Sequence, residues 1–290
     1  MKDDLNNILG QALSNLYSPL PQIKPIREDE LAWFKENSVC ILPCGGESKR
    51  MAGLSDKHKT ALELPGGETL ISRTIRAYID GGVKNFVLLV GINAESVIES
   101  TKHLQQPGVD IKYCPDPGKP VGRGGAILNA LQQGFISRMN NSIVHNADDQ
   151  IVGYPGNLLG DIYRAHINHQ KSGGWATAIV AMSTPYAYTG FQILDGKVIN
   201  ITTTPNIPIP THVGITIMSP DVYTYFDTLF NLTEKKDFEG YLYPILAKDN
   251  RLFAFAIPGN CWYPVNNPKE YENLIKRLQA YPREIHSFNK

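Results

Sequence analysis

The fold is decided by one stretch, Val39-Cys40-Ile41-Leu42-Pro43-Cys44-Gly45-Gly46-Glu47-Ser48-Lys49-Arg50-Met51, which is followed by Lys59-Thr60-Ala61-Leu62-Glu63-Leu64. A short apolar run enters a Gly-Gly turn that carries Ser, Lys and Arg. Such a turn lets backbone N–H groups approach an anion closely, and the guanidinium of Arg50 suits phosphate oxygens. The pattern predicts a triphosphate-binding loop at the carboxyl end of a first parallel strand. An ordinary strand-to-helix turn with solvated basic residues is the alternative. The loop fits neither the Walker pattern nor the dinucleotide fingerprint.

The loop resembles the activating loop of the sugar-1-phosphate nucleotidylyltransferase superfamily, whose members carry G-G-x-S-x-R-M or G-x-G-T-R-M and then a Lys before an A-L segment. The resemblance implies that nucleotide contacts come from Cys44, Gly45, Gly46 and Ser48. It also implies that Arg50 and Lys59 stabilise the triphosphate during catalysis. The Pro that usually precedes the Lys is His58 here.

Composition bounds the class of protein. The chain has 290 residues, of which 42% are hydrophobic and 19% charged, as in ordinary globular proteins. Its formal net charge is zero, which argues against a nucleic-acid partner. No apolar run approaches membrane-spanning length, the N-terminus lacks a signal-peptide pattern, and the four cysteines are scattered. We therefore expect a cytoplasmic protein without a membrane partner.

Apolar periodicity predicts alternating strands and helices from residue 39 onward. We predict strands at 85–91, 109–113, 142–146, 176–182, 211–218 and 252–257, and helices at 70–79, 96–104, 124–134, 161–170, 220–230 and 268–279. A hairpin is predicted at 191–202 around Asp195-Gly196. His166 and His169 are expected on a solvated helix face. The alternation predicts a mostly parallel, Rossmann-like sheet in a three-layer α/β/α sandwich.

A helical extension is predicted for residues 1–38, ahead of a nucleotidyltransferase domain at 39–290. Its first helix begins near Leu5, and its second spans 28–37 with Leu31, Trp33 and Phe34 as packing residues. Packing against the core is the favoured role of the extension. A dimer contact, and hence a homo-oligomer, is the alternative.

The segment Asn146-Ala147-Asp148-Asp149 ends a predicted strand with two carboxylates. Paired carboxylates can hold Mg²⁺ together with phosphate oxygens, although Asp is also common in turns. The segment resembles the G-D or G-D-D of the superfamily, whose first Asp binds the metal. The resemblance implies that Asp148 is the ligand, with Asp149 as the fallback if the register slips by one.

The segment Val265-Asn266-Asn267-Pro268 precedes the last predicted helix and is a strong helix-capping signal by itself. It also resembles the closing V-N-N motif of the superfamily, whose first Asn binds the metal, so that the resemblance gives Asn266 this role. Pro264 occupies the position of the Asp in the other version of that motif, W-x-D. We therefore expect weaker intrinsic metal binding and more reliance on the nucleotide phosphates.

The small residues Gly122, Gly124 and Gly125 surround Arg123 at a predicted helix start. They permit close backbone approach, either to a ligand or to a tightly packed neighbour. The segment resembles the G-T-A/G-G-A element that lies against the nucleobase and ribose. Arg123 replaces the common Thr, so the segment does not identify the base.

On the acceptor side, the resemblance implies contacts from Gly190, Thr203 and His212. Thr203-Thr204 stands where the superfamily has a Glu-Lys pair that binds sugar hydroxyls and the sugar phosphate. A common hexose-1-phosphate is therefore expected to be a poor acceptor. A protonated His212 would supply part of the missing charge, with activity that falls as the pH rises past its pKa.

These patterns together predict a nucleotidyltransferase that uses Mg²⁺. It would transfer a nucleoside monophosphate from a nucleoside triphosphate to a sugar-1-phosphate or a similar small phosphate, with release of pyrophosphate. A glycosyltransferase of related fold and a non-catalytic nucleotide-binding regulator are the alternatives.

Overall fold

The structure is a computed structural model that describes residues 5–13, 22–46 and 55–288. Its strands are β1 (Ser38–Cys44), β2 (Asn85–Val90), β3 (Asp110–Pro115), β4 (Asn141–His145), β5 (Asp149–Ile151), β6 (Ala176–Ala181), β7 (Thr184–Pro185), β8 (Gly190–Leu194), β9 (Lys197–Thr202), β10 (Asn206–Ile207), β11 (Thr211–Met218), β12 (Leu252–Ile257) and β13 (Trp262–Pro264). Its helices are α1 (Leu5–Ala12), α2 (Glu28–Glu36), α3 (Leu70–Asp80), α4 (Ala94–Thr101), α5 (Gly122–Gln132), α6 (Leu158–Lys171), α7 (Tyr223–Leu229), α8 (Phe238–Tyr241), α9 (Tyr243–Lys248) and α10 (Pro268–Ala280). Short 3-10 turns include Lys59–Ala61, which concerns the site, and Pro220–Val222.

A seven-stranded sheet in the order β12-β6-β11-β4-β1-β2-β3 forms the middle layer. Neighbouring strands are parallel except at β11, which runs antiparallel to both β4 and β6. The predicted mostly parallel, Rossmann-like sheet is confirmed. Because connections between parallel strands pass over the faces, the carboxyl ends of β1, β2 and β4 meet at one edge.

Strand β1 is buried on both faces, and its side chains alternate between two apolar cores. Cys40 and Leu42 face the core shared with α2, α3, α4 and α6, whereas Val39 and Ile41 face the core shared with α5, α7, α8 and α9. This alternation follows from the two-residue period of a strand. Helices therefore cover both faces, as the three-layer prediction requires.

Helix α2 packs against α6, where the Phe34 and Tyr163 ring centroids are 5.2 Å apart. Leu31 and Phe34 are buried as predicted, but Trp33 is 57% exposed, so its prediction as a packing residue is wrong. On a nine-residue helix, side chains one position apart point about 100° apart, and Trp33 falls outside the buried stripe. Helix α1 lies against β9 and β10. The domain boundary at residue 38 and the homo-oligomer stay predictions.

The expectation of a solvated face for His166 and His169 is also wrong. His166 is fully buried and its Nδ1 lies 3.0 Å from Thr177 Oγ1, to which His169 Nδ1 also comes within 2.9 Å. Burial lowers the pKa of His166 to about 3 and that of His169 to about 4. Both rings are neutral packing groups that join α6 to β6.

The last described segment is held by the fully buried Arg73 of α3. Its guanidinium donates hydrogen bonds to the backbone carbonyls of Ile151, Glu284, Ile285 and Ser287 and to Gln150 Oε1, the last at 2.6 Å. Burial lowers the pKa of Arg73 to about 10. These hydrogen bonds join the last described segment to the residues that follow Asp149, and we call Arg73 with its five acceptors the latch.

Within the described ranges, no helix combines the length and the apolar character needed to cross a bilayer.

Candidate active site

A cavity of about 390 Å³ opens at the edge where β1, β2 and β4 end. Its walls are formed by Pro43, Gly45, Gly46, His58, Lys59, Leu89, Asp116, Pro120, Val121, Gly122, Arg123, Ala126, Asn146, Asp148, Asp149, Lys235, Asp237 and Asn266. Six predicted site residues and the fallback ligand Asp149 are among them, contributed by segments more than 200 positions apart. A crevice at the carboxyl ends of parallel strands is where this class of sheet binds ligands.

Gly45 and Gly46 follow β1 directly and form one wall of the cavity. A Cβ at Gly45 would lie 2.9 Å from Asp116 Oδ2, and one at Gly91 would lie 2.6 Å from the same atom. Side chains at these two positions would therefore push Asp116 out of place. Cys44 is fully buried in the apolar core, so any contact it makes with a nucleotide would come from its backbone. Ser48 and Arg50 lie outside the described residues.

Lys59 begins the 3-10 turn that lies against α3 and α4, and its ammonium forms an ion pair with Asp148. The two side chains are only 22% and 12% exposed. His58 precedes it with a buried ring whose Nδ1 accepts a hydrogen bond from the Thr60 amide, at 3.3 Å. Burial and the charge of Lys59 lower the pKa of His58 to about 4, so the ring is neutral. Of the two basic residues at this described turn, Lys59 carries the charge and His58 does not.

Two short strands bring Asp148 and Asn266 together. β5 and β13 pair antiparallel with Asp149 opposite Pro264, and the Val265 amide donates to the Asp148 carbonyl at 2.8 Å. Asn267 caps α10 by accepting from the Glu270 amide at 3.0 Å. The capping prediction is confirmed, and the same turn leaves Asn266 on the cavity wall.

Asp148 and Asp149 have different surroundings. The Asp149 carboxylate accepts hydrogen bonds from Trp262 Nε1 at 3.0 Å and from Asn146 Nδ2 at 3.3 Å. Burial and the neighbouring charge of Asp148 raise the pKa of Asp149 to about 7. Asp148 instead faces the cation of Lys59. The Asp148 carboxylate is therefore the one that could leave its lysine partner and bind a metal ion.

Gly122 begins α5 with φ of 72°, and a Cβ there would lie 2.5 Å from the Lys236 carbonyl oxygen. Gly124 and Gly125 do not line the cavity, since Phe230 packs against the first and Val121 against the second. Of the three glycines predicted to bind nucleotide at the start of α5, only Gly122 reaches the cavity. Gly124 and Gly125 fit the packing alternative instead, because neighbouring side chains occupy the space that a Cβ at either position would need.

The close neighbour of Gly122 is residues 231–239, which we call the strap. The Lys236 amide donates to the Val121 carbonyl and the Gly124 amide donates to the Lys236 carbonyl, each at 3.0 Å. Arg123 pairs with Asp237 at 3.3 Å and with Glu239 at 2.6 Å, and donates to Asn146 Oδ1 at 3.2 Å. Sequence analysis missed the strap because it is polar and irregular. Its cluster of charges of both signs, from Glu234 to Glu239, was the available signal.

None of the predicted acceptor residues lines the cavity among the residues that the structure describes. Gly190 pairs with Thr202 on the β8–β9 hairpin, and Thr203 is exposed just beyond it. His212 Nε2 lies 3.1 Å from Thr216 Oγ1 and 3.2 Å from the Tyr243 hydroxyl. Burial lowers the pKa of His212 to about 4. The ring is therefore neutral near neutral pH, and the charge that its protonated form would supply is absent there.

The donor set at the base of the cavity suits a hard divalent cation. Asp148 and Asp149 offer carboxylate oxygens and Asn266 an amide oxygen, the types that Mg²⁺ takes together with phosphate oxygens and water. Across the described part of the chain, no group of three or more His, Cys, Asp or Glu side chains could hold a metal alone. The residues fit a magnesium ion that arrives with a nucleotide.

Comparison with known proteins finds sequences and folds to which this chain is similar. Residues 40–180 match the MobA-like NTP transferase domain. Among curated proteins, the mannose-1-phosphate guanyltransferase of Kluyveromyces lactis is 25% identical over 245 residues, covering 80% of this chain and 62% of that protein. The probable mannose-1-phosphate guanylyltransferase 1 of Oryza sativa subsp. japonica is 24% identical over 247 residues, covering 83% and 64%. The chain thus spans less than two thirds of these relatives.

Among solved structures, UDP-glucose pyrophosphorylase complexed with UDP-glucose matches with a TM-score of 0.61 at 17% identity, covering 85% of this chain and 98% of that chain. HddC from Yersinia pseudotuberculosis matches with a TM-score of 0.57 at 18% identity, covering 83% and 99%. At these identities the matches establish the fold. The domain match covers just under half of this chain, and together with the curated relatives it shows a similarity to nucleotidyltransferases.

Proposed function

We propose that this protein transfers a nucleoside monophosphate from a nucleoside triphosphate to a sugar-1-phosphate or a similar small phosphate. One observation carries the proposal. Gly45, Gly46, Lys59, Asp148 and Asn266 come from distant parts of the chain and meet on one cavity at the carboxyl ends of parallel strands. A phosphate-binding turn, a lysine and hard oxygen ligands are the parts that phosphoryl-transfer sites share.

In the proposed reaction an acceptor phosphate oxygen forms a bond to the α-phosphorus of the triphosphate. The bond between that phosphorus and the bridging oxygen breaks, and pyrophosphate leaves with the electron pair. The nucleophile is already anionic, so no side chain need take its proton. The protein therefore contributes position and charge neutralisation.

Lys59 is proposed to neutralise charge on the triphosphate, with Arg50 in the same role. The Lys59 ammonium is paired with Asp148, so a triphosphate would compete with that carboxylate for the ammonium. Asp148 and Asn266 are proposed to hold Mg²⁺, whose contribution when bound is to neutralise phosphate charge. Cytoplasmic localisation stays a prediction.

We further propose that the preferred base is guanine. Asp116 lines the cavity between the ends of β1 and β2. An ionised carboxylate only accepts hydrogen bonds, and guanine presents two adjacent donors, N1–H and the 2-amino group. Cytosine offers one donor beside an acceptor, which a carboxylate repels. The curated relatives are named guanyltransferases, which agrees with this choice.

The decisive experiment measures pyrophosphate release by the purified chain with Mg²⁺. Four triphosphates are each paired with mannose-1-phosphate, glucose-1-phosphate, phosphocholine and a polyol phosphate. Release that requires both substrates, and that is fastest with GTP, is the expected result. Release from no pair would contradict enzymatic function and favour the regulator. Turnover of a nucleotide sugar without pyrophosphate would favour the glycosyltransferase.

Asp116→Asn is the variant that tests the base preference. An amide presents both a donor and an acceptor. The ratio of kcat/KM for GTP to that for CTP or UTP should therefore fall, while the kcat/KM values for CTP and UTP are kept. An unchanged ratio of kcat/KM values between the triphosphates would refute the role of Asp116 in base selection.

A further inference from the structure

The missing Glu-Lys pair leaves the acceptor phosphate without its usual cation. Thr203 and Thr204 are exposed beyond β9, and neither lines the cavity among the described residues. A phosphate must nevertheless lose part of its hydration when it enters a cavity, and a cation commonly compensates for that loss. If the proposed function holds, another cationic side chain of this protein must bind the acceptor phosphate.

The cationic side chains on the cavity wall differ in how they are paired. Lys59 pairs with Asp148, and Arg123 pairs with Asp237 and Glu239. Lys235 also lines the cavity, but it forms no ion pair within 4.0 Å with the residues that the structure describes. The charge of Lys235 lowers the pKa of Asp237, but by less than Arg123 does. Burial alone would raise the pKa of Asp237, but the hydrogen bonds and charge of Arg123, with the charge of Lys235, lower it.

The backbone at Lys235 is fixed although its side chain is exposed. The neighbouring Lys236 exchanges two backbone hydrogen bonds with Val121 and Gly124, and Asp237 accepts one from the Arg123 amide at 2.9 Å. These bonds hold the strap over the first turn of α5. Lys235 therefore lines the cavity from an anchored backbone.

Lys59 and Lys235 belong to opposite helical layers of the sandwich. Lys59 lies in the turn against α3 and α4, whereas Lys235 lies in the strap beside α5 and α8. In phosphoryl transfer the attacking and leaving oxygens are roughly in line, on opposite sides of the phosphorus. If pyrophosphate leaves on the Lys59 side, the acceptor phosphate approaches from the other side.

We propose that Lys235 binds the phosphate of the acceptor and replaces the lysine that the acceptor segment lacks. Around the cavity, the carboxylates of Asp116, Asp148, Asp149 and Asp237 outnumber the described cations, so an entering phosphate needs this charge. A strap lysine in this place accepts any small phosphate monoester, because it makes no contact that depends on sugar hydroxyls.

The test compares steady-state kinetics of Lys235→Ala with those of the unchanged protein, on whichever acceptor the panel identifies. We expect the KM for the acceptor to rise about 10- to 100-fold, as the loss of one charge-assisted hydrogen bond implies. The KM for the triphosphate should stay within about 2-fold, because other residues hold it. Lys235→Arg should restore most of the acceptor affinity.

Lys236→Ala is the matched control. Lys236 is the adjacent residue, but its ammonium pairs with Glu234 at 2.7 Å, lies over the Tyr241 ring and is not on the cavity wall. Its loss should leave both KM values unchanged. Equal effects of Lys235→Ala and Lys236→Ala would show that the strap acts only structurally and would overturn the proposal.

The reverse reaction separates the two phosphate sites. The acceptor phosphate becomes part of the product nucleotide, so Lys235→Ala should raise the KM for that product and leave the KM for pyrophosphate unchanged. A rise confined to pyrophosphate would place Lys235 on the triphosphate and refute the proposal. If the unchanged protein releases no pyrophosphate with any pair, it is the proposed function that fails. An active protein that is indifferent to Lys235→Ala refutes this inference alone.

Discussion

Replacing Asp148 by Asn is the sharpest test of the proposed metal site. The substitution keeps an oxygen of similar size and removes one charge from a side chain that is 12% exposed. It also removes the ion-pair partner of Lys59. A charged contact of this kind contributes about 1.5–3 kcal/mol, which corresponds to roughly 10- to 150-fold in affinity. We expect the Mg²⁺ concentration for half-maximal activity to rise by that factor and kcat/KM to fall at least about 100-fold, because metal and substrate charge are neutralised together.

The assays are a Mg²⁺ titration of activity and, independently of turnover, Mn²⁺ binding in the presence of nucleotide followed by electron paramagnetic resonance. Asp149→Asn is the matched control. Its side-chain oxygen can still accept the hydrogen bond from Trp262, so the kcat/KM loss should stay below about 10-fold. Urea unfolding checks that both variants are folded.

Near wild-type activity and Mn²⁺ affinity in Asp148→Asn would refute the assignment. A larger loss of Mn²⁺ binding in Asp149→Asn than in Asp148→Asn would move the ligand to Asp149. Similar losses in both variants with lowered urea midpoints would point instead to damage of the strand end they share.

Four further predictions concern other parts of the molecule. Lys59→Ala or Arg50→Ala should weaken triphosphate binding by roughly 1.5–3 kcal/mol while sparing monophosphate binding, and equal losses in calorimetric titrations would contradict their role. Arg73→Met should lower the free energy of unfolding by about 3–5 kcal/mol, since five hydrogen-bond acceptors lose a buried donor, and a change below 1 kcal/mol in urea would show that the latch is unimportant. Because burial lowers the pKa of His166 to about 3 against an unfolded value near 6.5, its stabilising effect is complete above about pH 6.5 and is lost as the pH falls toward 3. His166→Gln should therefore flatten the dependence of the urea midpoint on pH in that window, and an unchanged slope would refute the linkage. Glucose-1-phosphate, mannose-1-phosphate and N-acetylglucosamine-1-phosphate should be poorer acceptors than a non-hexose phosphate, and a kcat/KM of about 10⁴ M⁻¹s⁻¹ or more with any of them would contradict this.

Local periodicity in the sequence was enough to predict the layers of the sandwich. The run Val39 to Pro43 is apolar at every position, which is what a strand buried on both faces requires. The spacing of apolar residues likewise gave the major helices to within a few residues at their ends. The turn at Gly45-Gly46, the carboxylates after β4 and the cap at Asn267 are local signals, so the sequence places them at strand and helix ends without tertiary information.

The sequence did not determine which of these local features would meet, or which surface would cover them. β5 and β13 have three residues each, too short for a periodic signal, yet their pairing is what sets Asn266 beside Asp148. Trp33 and His166 were assigned to the wrong environments because burial depends on what packs against a helix face, not only on the helix itself.

Lys235 is the clearest case of a position that only the tertiary structure decides. In the sequence it stands in a charged irregular segment that is typical of a solvated loop. Hydrogen bonds from Lys236 to Val121 and from Arg123 to Asp237, which join residues more than 100 positions apart, fold that segment over the start of α5. Hydrogen bonds of this kind produce no periodic pattern in the sequence of either segment. Their donors are backbone N–H groups, which every residue except proline carries, and the two segments meet only when the chain is folded.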